Sequence, residues 1–214
     1  MSAPTPSAPR TTAELLALDP VIPVVVLDDA AHAVPLARAL LAGGLRTIEV
    51  TLRTPAALEG IDRIAAELPE LVVGAGTIAH PQQVEAAAAA GAQFLVSPGQ
   101  RPALLAAMEA TGLPFLAGAA TPSDVLALLE RGIDCAKLFP AEVVGGVAMA
   151  RALAGPFPQL RLCPTGGISP ERAREYLTLP NVACVGGSWI AAAAPDWDDV
   201  TARARAAAAL RSSP

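Results

Sequence analysis

The chain has 214 residues, of which 53% are hydrophobic and 16% are charged, and its formal net charge is -5. This length suits one α/β domain with a sizeable core, and the composition excludes disorder for the bulk of the chain. The acidic balance argues against general binding to nucleic acid or anionic membranes, and three cysteines without a CxxC motif argue against a disulfide framework or a zinc ribbon.

No targeting or membrane-spanning segment is evident in the sequence. Residues 1–10 (MSAPTPSAPR) lack the apolar core of a signal peptide and are expected to form a flexible tail before a barrel domain over residues 11–214. The chain has no run of about 18 uninterrupted apolar residues, the length that a membrane span needs. We therefore expect a cytoplasmic protein without a membrane or nucleic-acid partner.

Eight short apolar runs rich in Val and Ile recur along the chain, separated by segments with helical patterns. They begin near Val21, Thr47, Leu71, Gln93, Pro114, Asp134, Leu160 and Val182. The mean spacing of about 23 residues fits a strand, a helix and two short loops per unit. Eight units of such even size predict a (β/α)8 TIM barrel, with an open, doubly wound sheet as the alternative.

Prolines and glycines indicate where the intervening helices begin and end. We expect a short opening helix over residues 11–18 and a helix over residues 30–41 that two aspartates cap and Gly43–Gly44 ends. A helix after the second strand is expected to have Pro55 in its first turn and Thr54 as its N-cap. The last helix spans about residues 197–210. Four further helices are expected to begin at or next to Pro81, Pro102, Pro122 and Pro170.

The second strand and the residues after it, TIEVTLR over residues 47–53, alternate polar and apolar side chains. Period two puts the polar residues on the face that points into the barrel or to its mouth, namely Thr47, Glu49, Thr51 and Arg53. A buried glutamate and arginine are costly unless they are paired or take part in chemistry. Because they lie toward the carboxyl end of the strand, where barrel active sites occur, we predict a functional role. The alternative is an ion pair that only closes the barrel end.

Lys137 is the only lysine among 15 basic residues, and it lies in the sixth predicted strand, within DCAKLFP. Arginine stays charged under ordinary conditions, whereas a desolvated lysine can lose its proton. A neutral amine is what Schiff-base chemistry requires. We therefore predict that Lys137 is a Schiff-base residue, the alternative being a structural lysine that pairs with Glu49 inside the barrel.

Paired glycines follow each of the last two predicted strands. Gly166 and Gly167 precede a helix, and Gly186 and Gly187 precede Ser188. Backbone N–H groups at such turns bind anions, and barrels often hold phosphate between these two loops. A phosphate site is therefore predicted there. The third strand also ends in a glycine-rich segment, GAGT over residues 74–77, whose glycines either serve a ligand or make room inside the barrel.

Six short blocks, in order and at suitable spacing, resemble those of the class I 2-keto-3-deoxy-6-phosphogluconate (KDPG) aldolase family, which also covers 4-hydroxy-2-oxoglutarate (KHG) aldolases. They are IEVTLRT (48–54), GAGT (74–77), VSPG (96–99), KLFPAE (137–142), PTGGI (164–168) and GGSW (186–189). The resemblance implies a (β/α)8 barrel, commonly a trimer, that uses neither a metal nor another cofactor. It also implies cleavage of KDPG to pyruvate and glyceraldehyde 3-phosphate.

The resemblance further implies a role for individual residues. Lys137 would form the Schiff base, and Glu49 would be the general acid and base, acting directly or through a water. The pyruvate end of the substrate would be bound by Arg53, Thr77, Pro98, Phe139 and Thr165. The phosphate would be bound by Gly166, Gly167, Gly186 and Ser188.

Several alternatives stay open on the sequence. The substrate is either KDPG, its galactonate-series epimer at C4, or KHG, which differ by one stereocentre or by the distal group. A phosphate-binding barrel isomerase or synthase would share the glycine turns, and a non-catalytic barrel used for assembly would share the fold.

Overall fold

The eight predicted strands form one parallel sheet that closes into a ring in the computed structural model, which describes residues 9–191 and 196–211. The strands are β1 (Val21–Val25), β2 (Thr47–Thr51), β3 (Val72–Gly76), β4 (Phe94–Val96), β5 (Phe115–Ala119), β6 (Cys135–Leu138), β7 (Arg161–Leu162) and β8 (Val185–Gly187). Their order is β7-β6-β5-β4-β3-β2-β1-β8, and parallel bridges between Leu162 and Val182 and between Thr165 and Gly186 join the two ends. The predicted TIM barrel is confirmed.

Helices alternate with the strands around the outside of the ring. In the described ranges they are α1 (Thr12–Leu18), α2 (Ala33–Ala42), α3 (Ala57–Glu67), α4 (Pro81–Ala89), α5 (Pro102–Ala110), α6 (Pro122–Leu129), α7 (Gly146–Ala154), α8 (Pro170–Leu177) and α9 (Trp197–Ala208). Within residues 9–191 and 196–211, none of them combines the length and the apolarity that crossing a bilayer requires. The predicted tail over residues 1–10 falls mainly on residues 1–8, which lie outside the described residues, so it stays a prediction.

The helix starts at Pro81, Pro102, Pro122 and Pro170 are confirmed, but two other predicted starts differ. Residues 30–41 divide into a 3-10 turn over Ala30–His32 and α2, although the Asp29 carboxylate does cap the turn by accepting from Ala31 N. Pro35 has no N–H to donate to the Ala31 carbonyl, so the α-helical pattern cannot start earlier. The N-cap role of Thr54 is wrong: its hydroxyl donates to the Leu27 carbonyl oxygen, and α3 begins at Ala57.

The lower part of the barrel interior is apolar, and α1 closes it from below. Inside it lie Leu15 and Leu16 of α1 with Ile22, Val72, Phe94, Val96, Leu116, Cys135, Cys163 and Cys184. The cysteines are therefore core residues, as predicted, and burial raises the pKa of the Cys135 thiol to about 12. Gly74 belongs to this layer because an added Cβ there would overlap the Phe94 ring.

A buried aspartate anchors the first turn of the barrel to the second strand. Asp19, between α1 and β1, is 2% exposed, and its Oδ2 accepts from Thr47 Oγ1 at 2.7 Å and from Arg46 N at 2.8 Å. These bonds explain why the inward face of β2 begins with a polar residue. Burial outweighs the hydrogen bonds and raises the pKa of the Asp19 carboxyl above its ordinary value.

This shift predicts a specific dependence of stability on pH. Because its pKa is raised on folding, Asp19 contributes most to the free energy of unfolding below its unfolded pKa, and the contribution is lost as pH rises through the folded value. Asp19→Asn keeps an acceptor for Thr47 but does not titrate. We therefore expect wild type to lose stability relative to this variant as pH rises above about 3.8, the ordinary pKa of an aspartate, measured by urea unfolding. The same substitution at exposed Asp28 is the control, and a pH-independent difference for Asp19→Asn would contradict the prediction.

Candidate active site

Lys137 and Glu49 meet in the upper part of the barrel interior. Strands β6 and β2 lie four places apart in a ring of eight, so their inward side chains face each other across it. Lys137 Nζ lies 3.1 Å from Glu49 Oε1 and 3.5 Å from Oε2, and both residues are almost fully buried, at 5% and 3% exposure. Gly76 makes room for this pair because an added Cβ would overlap Glu49 Oε1. This confirms the space-making interpretation of the glycines in β3.

Arg53 does not share the buried position of Glu49. Thr47, Glu49 and Thr51 are buried as the alternation predicts, whereas Arg53 lies beyond the end of β2 and is exposed. The expectation of a buried arginine is therefore wrong, because the strand ends before the alternation does. The ionic partner of Glu49 is Lys137, and Arg53 Nε instead donates to Thr77 Oγ1 at 3.1 Å.

Thr77 holds an unusual backbone conformation directly after β3. Its φ of 60° lies in the left-handed region, which β-branched residues rarely adopt. Residues held in this region are strained and concentrate at binding and catalytic sites. Here the conformation places the Thr77 hydroxyl against the Arg53 guanidinium at the barrel mouth.

Phe139 lies next to Lys137, and Pro98 lies next to the strand that pairs with β6. The Phe139 ring centroid is 5.4 Å from Lys137 Nζ, close enough for a cation–π contact. Gly118 of β5 is the register partner of Lys137, and an added Cβ there would overlap the Pro98 carbonyl oxygen. Gly118 thus lets the loop after β4 fold over the barrel mouth, and Ser97 Oγ closes that loop by donating to the Gly99 carbonyl at 2.6 Å.

The loop after β7 lies beside the carboxyl end of β8 at the same mouth. Thr165 is buried and bridges to Gly186, where an added Cβ would overlap Thr165 Oγ1. Gly166 and Gly167 have φ of 103° and 76°, and Gly166 packs against Phe139. Gly167 and Ser188 are exposed to solvent. Gly186 and Gly187 are instead buried inside β8, so the predicted glycine turn after the eighth strand is wrong. The predicted residues therefore form a buried amine–carboxylate pair and one open glycine turn, after β7.

Sequence reasoning assigned no role to Glu142, although it ends the KLFPAE block. Its carboxylate accepts from Arg172 and from Tyr176, both on α8, which begins just after Gly166 and Gly167. Partners 30 and 34 residues away leave no local pattern to detect. The one available signal is that Tyr176 is the only tyrosine of the chain and lies in an otherwise strongly polar helix.

The geometry alone is compatible with both interpretations of Lys137. A buried ion pair can be purely structural, and the same pair can carry Schiff-base chemistry. Within residues 9–191 and 196–211, no three or more His, Cys, Asp or Glu side chains are grouped as a metal site would require. The observed elements are thus a lysine, a carboxylate in hydrogen-bond contact, an arginine at the mouth and two adjacent loops with backbone N–H groups.

Comparison with known proteins favours the chemical interpretation. The family model for KDPG and KHG aldolase matches residues 13–203. The KHG/KDPG aldolase of Escherichia coli K12 is 50% identical over 204 residues, which are 92% of this chain and 95% of that protein. The 2-keto-3-deoxy-6-phosphogluconate aldolase of Zymomonas mobilis ZM4, solved with 3-phosphoglycerate, superposes with a TM-score of 0.91 at 45% identity, covering 94% of this chain and 97% of that one.

A third relative is informative about covalent chemistry. The KDPG aldolase of Legionella pneumophila was solved with pyruvate captured at low pH as a covalent carbinolamine intermediate. It superposes with a TM-score of 0.89 at 42% identity and covers 92% of this chain and 98% of that one.

Proposed function

The chain belongs to the family of KDPG and KHG aldolases, and we propose that it cleaves KDPG into pyruvate and glyceraldehyde 3-phosphate through an iminium on Lys137. It is a class I carbon–carbon lyase, which uses an amine of its own to activate the substrate ketone. The observation that carries this proposal is the 3.1 Å contact between Lys137 Nζ and Glu49 Oε1 inside a closed barrel. A carbinolamine is the adduct that precedes such an iminium, and one was captured with pyruvate in the Legionella relative.

Iminium formation uses both members of the pair. Transfer of a proton from the Lys137 ammonium to Glu49 across this contact leaves a neutral amine beside a carboxylic acid. The amine attacks the C2 ketone to give a carbinolamine. Glu49 then donates its proton to the departing hydroxyl, so that water leaves and a protonated iminium remains.

Cleavage follows because the iminium accepts electrons from the C3–C4 bond. Glu49, again a carboxylate, takes the proton of the C4 hydroxyl, and C3–C4 breaks to give glyceraldehyde 3-phosphate and an enamine. Glu49 returns this proton to C3, and water hydrolyses the resulting iminium to pyruvate and free Lys137.

The pyruvate end of the substrate lies on the side of the mouth formed by Arg53 and Thr77. The forked guanidinium of Arg53 suits two carboxylate oxygens at once, and its contact with Thr77 fixes its direction. The strained backbone of Thr77 holds its hydroxyl in the position that makes this contact. Three further residues complete the pocket around the C1–C3 fragment, namely Pro98, Phe139 and Thr165.

The phosphate binds between the loops after β7 and β8. Gly166 and Gly167 have left-handed backbones and precede the N-terminus of α8. Gly186 lies in the neighbouring strand β8, and Ser188 directly follows that strand. Backbone N–H groups, the Ser188 hydroxyl and the helix dipole together suit a dianion.

Borohydride trapping tests this proposal. With pyruvate and borohydride, reduction of the iminium should attach the three-carbon fragment permanently to Lys137, which mass spectrometry of peptides would locate. Cleavage of KDPG, followed with a coupled pyruvate assay, should accompany it. The absence of adduct on Lys137 together with active cleavage would contradict the assigned nucleophile, and the absence of cleavage would contradict the function.

Comparison of substrates tests the phosphate site and the second candidate function, cleavage of KHG. The observation in favour of KDPG is the glycine turn after β7, beside the end of β8, which KHG, having no phosphate, would not use. We expect kcat/KM for KDPG, and for its equally phosphorylated galactonate-series epimer, to exceed that for KHG. An equal kcat/KM for KDPG and KHG would show that the anion site is wrongly assigned.

We also propose that residues 11–214 form one catalytic domain and that the protein is a cytoplasmic homotrimer. The family resemblance supports the trimer, and Val143, Leu126, Val26 and Leu58 are large exposed apolar side chains that an interface could cover. None of the three cysteines, all in the described part of the chain, forms a disulfide, which is consistent with a reducing compartment. Sedimentation should give close to three times the 21.6 kDa chain mass, and a monomer would contradict the proposal.

A further inference from the structure

Glu142 is at the centre of a polar cluster between the loop after β6 and helix α8. Its Oε1 accepts from Tyr176 Oη at 2.6 Å and its Oε2 accepts from Arg172 Nε at 3.2 Å. Burial and this carboxylate raise the pKa of the Tyr176 hydroxyl well above its ordinary value, so the hydroxyl stays a donor. Gly146 makes room for the cluster, because an added Cβ would lie 3.1 Å from Arg172 Nη2 and 3.3 Å from Glu142 Oε1.

The main chain of the same segment is fixed to the loop after β7. Glu142 N donates to the Gly166 carbonyl at 3.2 Å, and Ala141 N donates to the Thr165 carbonyl at 2.8 Å. An added Cβ at Gly167 would come 3.1 Å from Glu142 Cβ. Glu142 therefore contacts Gly166 through its backbone and Gly167 through its Cβ. Its carboxylate contacts α8, the helix that follows these two glycines.

The position of Glu142 links the two halves of the proposed site. It lies five residues after Lys137 on the same loop as Phe139, whose ring packs on Gly166. Helix α8, which its carboxylate contacts, begins three residues after Gly167. The distance between the amine and the phosphate loop thus depends on how firmly Glu142 joins these two segments.

We propose that Glu142 is a positioning residue that sets the distance between Lys137 and the glycine loop after β7 and thereby determines the preference for a phosphorylated substrate. This inference rests on the proposed function, since it concerns the phosphate end of the same site. Glu142 holds the loop in place for a distal dianion, and the carbon chemistry at Lys137 does not require its carboxylate.

Truncation of Glu142 should weaken binding of KDPG, which carries the phosphate, but not binding of pyruvate, which lacks it. For Glu142→Ala we expect KM for KDPG to rise about tenfold while kcat changes less than about threefold, because displaced binding groups weaken binding more than chemistry. The pyruvate concentration that half-saturates borohydride trapping should change less than about twofold. Glu142→Gln keeps one acceptor for Tyr176 or Arg172, so its KM for KDPG should lie between the values of Glu142→Ala and the wild type.

Glu109 offers a matched control. Its carboxylate accepts two bonds, both from Arg131, whereas that of Glu142 accepts one from Arg172 and one from Tyr176. The Glu109 side chain is 35% exposed against 27% for Glu142. It lies at the end of α5, on the opposite side of the barrel from the active-site mouth. Glu109→Ala should leave both KM for KDPG and half-saturation by pyruvate unchanged.

The outcomes distinguish this inference from the function on which it rests. Equal losses for KDPG and pyruvate in Glu142→Ala, or no change in either, would overturn the positioning role while wild-type cleavage stands. Absence of cleavage or of pyruvate trapping in the wild type would instead overturn the proposed function. Thermal unfolding of each variant shows whether a loss comes from global destabilisation, which would lower binding of both ligands together and count against the inference.

Discussion

Lys137→Arg is expected to lower kcat for KDPG cleavage by at least about 10³-fold, because a guanidinium remains protonated and cannot form the iminium. The substitution keeps a positive charge opposite Glu49, so the buried carboxylate retains an ionic partner. Steady-state cleavage and borohydride trapping with pyruvate measure the effect directly. Trapping should disappear completely from side chains, since the sequence has no second lysine.

This substitution also decides between the two interpretations of the buried pair. If Lys137 only balanced the charge of Glu49, arginine would serve nearly as well and turnover would persist. Retention of more than about one tenth of wild-type kcat in a folded Lys137→Arg protein would therefore exclude the nucleophile role. Thermal unfolding of the variant establishes that the barrel is intact.

Glu49→Gln is expected to lower kcat for cleavage by roughly 10²-fold or more while part of the pyruvate trapping survives. Glutamine preserves the size of the side chain but cannot carry the proton between the C4 hydroxyl, C3 and the leaving water. Water can replace Glu49 in the proton transfers of iminium formation more readily than in cleavage. The covalent adduct with pyruvate should therefore still form, but more slowly than in the wild type. Rapid-quench trapping with pyruvate, beside steady-state cleavage of KDPG, separates the two steps.

Glu67→Gln provides the comparison for Glu49→Gln, because Glu67 is an exposed glutamate that pairs with Arg38 on the outer surface. That variant should retain wild-type turnover. Unchanged turnover in Glu49→Gln would remove Glu49 from acid–base catalysis, and loss of trapping in parallel with cleavage would assign it to amine activation alone.

Much of the fold was predictable because periodic signals determine it. The regular spacing of apolar runs predicted eight parallel strands, and prolines such as Pro81 and Pro122 mark the starts of α4 and α6. The alternation in β2 placed Glu49 inside the barrel, and the single lysine of the chain identified its partner across the ring. These signals are local, so they survive in a sequence without any knowledge of its contacts.

Features that depend on contacts between distant segments were not predictable. Thr54 has the right chemistry for a helix cap, but its hydroxyl donates a hydrogen bond to the carbonyl of Leu27, 27 residues earlier. Arg53 continues the polar alternation, yet β2 ends before it and the side chain turns to Thr77. The need for glycine at Gly118 in β5 likewise becomes visible only once the loop after β4 brings the Pro98 carbonyl against that strand.

Leu15 and Leu16 pack beneath the ring, so within residues 9–191 and 196–211 the barrel floor is closed and ligands reach Lys137 from the mouth. Substrate, aldehyde and pyruvate must then share one passage, with the three-carbon fragment innermost and bonded to the protein. Glyceraldehyde 3-phosphate is nearer the opening and has to depart before water can reach and release the fragment behind it. The architecture of the barrel floor thereby imposes an order on product release, and in the synthetic direction it requires pyruvate to enter first.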